Sequence, residues 1–177
     1  QLTSTVLSYK THTYLDKNLK VFFAGSFLTN QKVMLKSVNK ISDYDISSSI
    51  DLSSTCPYFS SNAGSVKVGN IVYFFGCSST DTAQPFSKAF KIDIDTNTVT
   101  VLPDHADIIG YKTAVYQNGY IYILNISGVV IKYDIINNSY SNTTINLSTL
   151  NSLFFVNNEM WIENKQGLIQ VLGHTYD

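Results

Sequence analysis

The feature that most constrains this chain is a recurring run of β-branched and aromatic residues. It occurs as Val21-Phe22-Phe23-Ala24, Ile71-Val72-Tyr73-Phe74-Phe75, Tyr120-Ile121-Tyr122-Ile123-Leu124 and Met160-Trp161-Ile162. Such runs, bounded by Asn, Gly, Ser and Asp, read as buried strands. Each follows a shorter strand pattern across a polar tip. Ser65-Val66-Lys67-Val68 passes through Gly69-Asn70, and Thr113-Ala114-Val115-Tyr116 through Gln117-Asn118-Gly119. Leu153-Phe154-Phe155-Val156 passes through Asn157-Asn158-Glu159, and His12-Thr13-Tyr14-Leu15 through Asp16-Lys17-Asn18. Asn and Gly at such tips supply the positive φ that tight hairpins need. No sustained helical periodicity competes with this pattern, so the sequence predicts an all-β fold.

A second signal follows the apolar runs. Asp93-Ile94-Asp95-Thr96-Asn97-Thr98-Val99 matches Asp134-Ile135-Ile136-Asn137-Asn138-Ser139-Tyr140, with a weaker copy from Tyr44-Asp45 to Ile50. Each reads as an Asp, a polar turn and a large apolar residue opening the next strand. The recurrence of Asp45, Asp93, Asp134 and Asp177 at equivalent places favours a structural Asx-turn over acid–base chemistry.

On these residues the chain resembles the kelch repeat, with Gly76-Cys77 where that motif has paired glycines and Val99 and Tyr140 where it has Trp. The resemblance implies a β-propeller. The spacing agrees: 51 residues separate Val21 from Val72, 49 separate Val72 from Ile121, and 39 separate Ile121 from Met160. Repeats of about 40–50 residues are the propeller range. The termini extend the pattern. Read across the join, Asp177-Gln1-Leu2-Thr3-Ser4-Thr5-Val6 copies the Asp93 segment in type and spacing. The expectation is a single domain over residues 1–177, with four blades of four antiparallel strands. The blades are residues 11–55, 61–106, 111–150, and 151–177 completed by 1–10, the N-terminal strand closing the C-terminal blade. The competing reading is an excised part of a larger ring that a second chain completes. The start at Gln1 fits a processed or excised product.

Composition bears on function. Charged residues are 14% of the chain and the net charge is −1, with twelve lysines and no arginine. A weak field without guanidinium groups argues against a nucleic-acid or phosphate reader. No stretch has the ~20 apolar residues a bilayer span needs, so membrane insertion is not expected. His12, His105 and His174 lack metal-ligand spacing, and no catalytic constellation, metal site or cofactor motif emerges.

Cys56 and Cys77 form a disulfide in an oxidising compartment or remain buried thiols in a reducing one. Asn-x-Ser/Thr sequons occur at Asn125, Asn137, Asn142 and Asn146. Sixteen asparagines generate several by chance, but three of the four fall within ten residues. Tyr9, Tyr14, Tyr58, Phe59, Tyr111 and Tyr140 lie near predicted strand ends, where a partner-binding surface would draw on them. The sequence reading is a non-enzymatic, secreted or surface-exposed propeller. Its partner is a protein or a glycan, through recognition, self-association or completion of a larger ring. An intracellular kelch-type adaptor and a fragment of a glycan-acting propeller enzyme are the alternatives.

Overall fold

The computed structural model describes residues 12–15, 21–26, 33–38, 50–51, 64–75, 89–96, 98–108, 111–125, 127–146, 152–164 and 167–175. These form fifteen strands in four antiparallel sheets, and the chain is all-β. The first sheet holds β1 (His12–Leu15), β2 (Val21–Ser26), β3 (Val33–Val38) and β4 (Ile50–Asp51). The second holds β5 (Gly64–Val68), β6 (Ile71–Phe75), β7 (Ala89–Asp93) and β8 (Thr98–Leu102). The third holds β9 (Tyr111–Gln117), β10 (Tyr120–Asn125), β11 (Val129–Asp134) and β12 (Ser139–Asn146). The fourth holds β13 (Ser152–Val156), β14 (Glu159–Asn164) and β15 (Gly167–Thr175). Within every sheet the strands pair in chain order. The fourth strand of the last sheet, expected from residues 3–9, lies outside the described residues.

The hairpins form because their tips carry residues that tolerate positive φ. Val68 pairs with Ile71 across Gly69 (φ 59°) and Asn70. Gln117 pairs with Tyr120 across Asn118 (φ 46°) and Gly119 (φ 85°). Val156 pairs with Glu159 across Asn157 (φ 49°) and Asn158 (φ 64°). Positive φ at both central residues, as at 118–119 and 157–158, or at the first alone, as at Gly69, twists a two-residue turn to match its strands.

The repeat extends to the faces. In the third sheet, Ile121, Ile123, Ile131 and Tyr133 pack with Tyr73, Phe75, Ala89 and Leu102 of the second sheet. Tyr122, Leu124 and Val130, on the opposite face, pack with Leu153 and Met160 of the fourth. The second sheet is likewise buried on both faces, since Val72, Phe74, Phe90 and Ile92 on its other side are also inaccessible. Strands buried on both sides carry near-continuous apolar runs, which is why β6 and β10 lack polar alternation. First strands of successive sheets lie beside one another, β5 along β9 and β9 along β13. Between the second and third sheets a single 3-10 turn, Ala106–Ile108, drops Ile108 into the shared core.

A cross-strand pair recurs at one register. Tyr73 opposes Lys91 and Tyr122 opposes Lys132, while Phe23 opposes Lys36 in the first sheet. The Lys132 ammonium lies 3.8 Å from the Tyr120 ring centroid and 5.8 Å from that of Tyr122, and the Lys91 ammonium 6.0 Å from that of Tyr73. A cation over an aromatic face is favourable by roughly 0.5–1 kcal/mol when exposed. In the fourth sheet Trp161 opposes Gln170, which keeps the ring and drops the charge.

Candidate recognition surface

Two ends of the sheets differ in construction. One end gathers the hairpin tips and the Asp turns. Asp93 Oδ1 accepts from Asp95 N at 2.9 Å and Thr96 N at 3.2 Å. Asp134 Oδ1 accepts from Ile136 N at 2.9 Å and Asn137 N at 3.0 Å, and its Oδ2 accepts from Asn137 Nδ2 at 2.7 Å. The backbone and side-chain bonds from Asn137 hold the Asp134 carboxyl below the usual carboxylate range, with further help from Ile136 N and Lys132. Both aspartates therefore make the Asx-turns that their repetition suggests. Asp45 and Asp177 lie outside the described residues.

The tips are tied to one another. Ile94 N donates to Asn70 O at 3.0 Å, and Ile135 N to Gly119 O at 3.1 Å, the same bond in successive sheets. Between sheets, Gln117 Nε2 and Asn118 Nδ2 both donate to Asn158 Oδ1, the latter at 3.2 Å. Side-chain amides therefore join the third and fourth sheets at this end. Tyr116 and Val156, one from each first strand, stand beside this network with 41% and 46% of their surfaces exposed. Ile136, in the Asp134 turn, is 86% exposed. Large apolar groups held on turns by a rigid frame are a common basis for binding.

Behind the tips lies a tyrosine cluster. Tyr133 has ring centroids of Tyr73 at 6.0 Å, Phe75 at 5.7 Å and Tyr140 at 5.0 Å, and Tyr140 lies 5.0 Å from His105. The Tyr133 hydroxyl donates to Asn138 Oδ1 at 2.6 Å, and His105 Nδ1 accepts from Asp107 N at 3.2 Å. Burial, reinforced by Tyr73 and Asp134, pushes the Tyr133 phenol up to about 12. Burial raises the Tyr73 and Tyr140 phenols as well. These rings stay neutral at physiological pH and pack against one another.

The other end holds the first of the four sequons. Asn125 is 6% exposed. Its Oδ1 accepts from Ser127 N at 3.0 Å and Val129 N at 2.9 Å, and its Nδ2 donates to Asp107 O at 3.0 Å. The nitrogen that would carry a sugar is enclosed and donates to a backbone carbonyl. Asn137 and Asn142 are exposed, and Asn146 ends β12. Cys56 and Cys77 lie outside the described residues, as do Tyr9, Tyr58 and Phe59. His12 falls on β1, His174 on β15 and His105 just before the 3-10 turn. No group of His, Cys, Asp or Glu able to hold a metal occurs among the described residues. Tyr14 lies on β1 and Tyr111 opens β9. Tyr140, expected near a strand end, is the second residue of β12 and packs against Tyr133 and His105. Tyr116 ends a strand pattern that leads into the Gln117-Asn118-Gly119 tip, and nothing in that pattern marks it as exposed.

No family model matches the chain, and no curated protein matches it. Among solved structures it is similar to the computationally designed Ika8 protein, with a TM-score of 0.56 and 15% identity over 95% of this chain and 48% of that one. It is also similar to the computationally designed Ika4 protein, with a TM-score of 0.56 and 13% identity over 99% of this chain and 100% of that one. The chain thus spans about half of the first and the whole of the second, and the likeness is one of fold. No helix among the described residues is long and apolar enough to cross a membrane.

Proposed function

We propose that this chain is a kelch-like β-propeller that works as a non-enzymatic, surface-exposed recognition module, presenting its hairpin-tip end to a protein or glycan. Several features support the propeller: the meander order of every sheet, the neighbouring first strands, and the Lys–aromatic register repeated from sheet to sheet. A blade cannot bury two apolar faces alone, and both faces of the second and third sheets are buried.

The observation that carries the recognition role is the exposure of Tyr116 and Val156 beside the Gln117, Asn118 and Asn158 amides. Amides offer donors and acceptors to hydroxyl or peptide groups, and an amphipathic ring offers a flat apolar face. Neither needs a charge, which suits a chain with few charged residues and no arginine.

The test compares three proteins on glycan arrays and on intact cell surfaces: the parent chain, the Tyr116→Ala/Val156→Ala double variant, and Val101→Ala. Val101 is exposed on β8, away from the tips, and serves as the control. The expected result is binding by the parent chain, at least a tenfold loss in the double variant and none in the control. Binding that survives the double variant, or falls equally in the control, overturns the assignment of this end. Absence of binding by the parent chain to either support overturns the recognition role.

A further inference from the structure

Among the described residues strand β12 is the edge of the third sheet, with β11 on one side and no further strand of that sheet on the other. A sheet edge presents unpaired backbone donors and acceptors, and folded proteins usually blunt it with charge, proline or a bulge. Over Ser139–Asn146 the eight residues read SYSNTTIN, with neither a charge nor a proline. A register shift opposite Val129 and Ile131 is the irregularity the strand does have.

Two sequons sit on or beside this edge with their asparagines exposed. Asn142 lies within β12, opposite Ile131, and Asn137 lies in the turn before it. Ser141, just before Asn142, and Thr144, two residues after it, are exposed as well. Asn125 provides the contrast within the same sheet, since its nitrogen is buried and donates to Asp107 O. Asn137 Nδ2 donates to Asp134 Oδ2, but a substituted amide keeps one N–H, so that bond survives attachment.

We propose that Asn142 is an N-glycan attachment site, with Asn137 the second, and that the sugar guards the β12 edge against pairing with another chain. The amide nitrogen attacks the anomeric carbon of an oligosaccharide carried on a lipid diphosphate. A nitrogen–carbon bond forms, the nitrogen loses a proton, and the lipid diphosphate leaves. The inference rests on the surface-exposed part of the reading above. Occupancy under imposed secretion does not depend on any ligand, so the two ideas fail separately.

The experiment secretes the full chain from a eukaryotic host behind a cleavable signal, then maps the sites by peptide mass after enzymatic release of glycans in heavy-oxygen water. Asn142 and Asn137 are expected to be occupied, and Asn125 unoccupied, in the folded monomer. An unmodified Asn142 in folded, secreted protein overturns the site. Thr144→Ala removes the acceptor sequence at an exposed position and leaves Asn142 in place. Light scattering should then show a severalfold rise in oligomers, and Asn142→Lys, which substitutes a charge for the sugar, should restore the monomer. A Thr144→Ala protein that stays monomeric overturns the guarding role.

Discussion

Asn125 is the residue whose replacement tests the packing of the third sheet most directly. Its amide serves two backbone N–H groups and one backbone carbonyl at 2.9–3.0 Å from a side chain that is 6% exposed. Asn125→Ala leaves three backbone groups without that partner. A buried polar group stripped of its partner costs about 1–3 kcal/mol. Ser127 is exposed, so water can reach one of the three, which places the total near the low end, at about 3 kcal/mol. For a chain of this size each kcal/mol moves the melting temperature by about 2–4 °C, so the expected drop is roughly 6–12 °C. Thermal melts by circular dichroism, with urea titrations as a second measure, read this directly. Asn142→Ala in unglycosylated protein is the comparison, since it sits exposed on the edge strand and should fall within about 0.5 kcal/mol of the parent. If Asn125→Ala melts within 2 °C of Asn142→Ala, the turn from Asn125 to Val129 holds itself together and the argument is wrong.

The tip turns allow a purely conformational test. Gly119 has φ 85° and nothing lies within 4 Å of an added Cβ, so Gly119→Ala meets backbone strain without a clash. It should destabilise the fold by about 1–2 kcal/mol in urea titration, and a neutral result would mean that the turn adopts another form. Tyr133 gives a prediction in alkali. Its phenol is raised from 10.0 to about 12 by burial, so the folded state holds the proton after the unfolded chain has released it. The stability it contributes is complete below pH 10 and is lost as pH rises towards 12. Melts across that window should fall more steeply for the parent than for Tyr133→Phe, and parallel curves would contradict the burial.

Much of this architecture is readable from residue order because the elements are local. The apolar runs at Ile71 and Tyr120 and the Asn-Gly tip at 118–119 each encode a hairpin within about fifteen residues. The Asp before each turn is equally local, since its carboxylate reaches nitrogens two and three residues away. What the order of residues does not convey is which side chains meet across sheets. Asn158 accepts from Gln117 and Asn118, about forty positions earlier, and nothing in the Asn157-Asn158 pair signals it. Asn125 shows the same limit in sharper form. Its Asn-Ile-Ser triplet carries the signature of a surface site, yet the 3-10 turn from the preceding connection closes over it. Tyr140 reads as a strand-end aromatic until Tyr133 and His105 are seen beside it.

The third sheet, enclosed by its neighbours on both sides, also sets how such a protein can change in length. Half a sheet has no mate for its apolar rows, whereas an entire one brings a forward face and a backward face that fit those already present. A cut between sheets is therefore expected to disturb the fold less than a cut within one, and a cut within β10 is expected to leave neither part soluble.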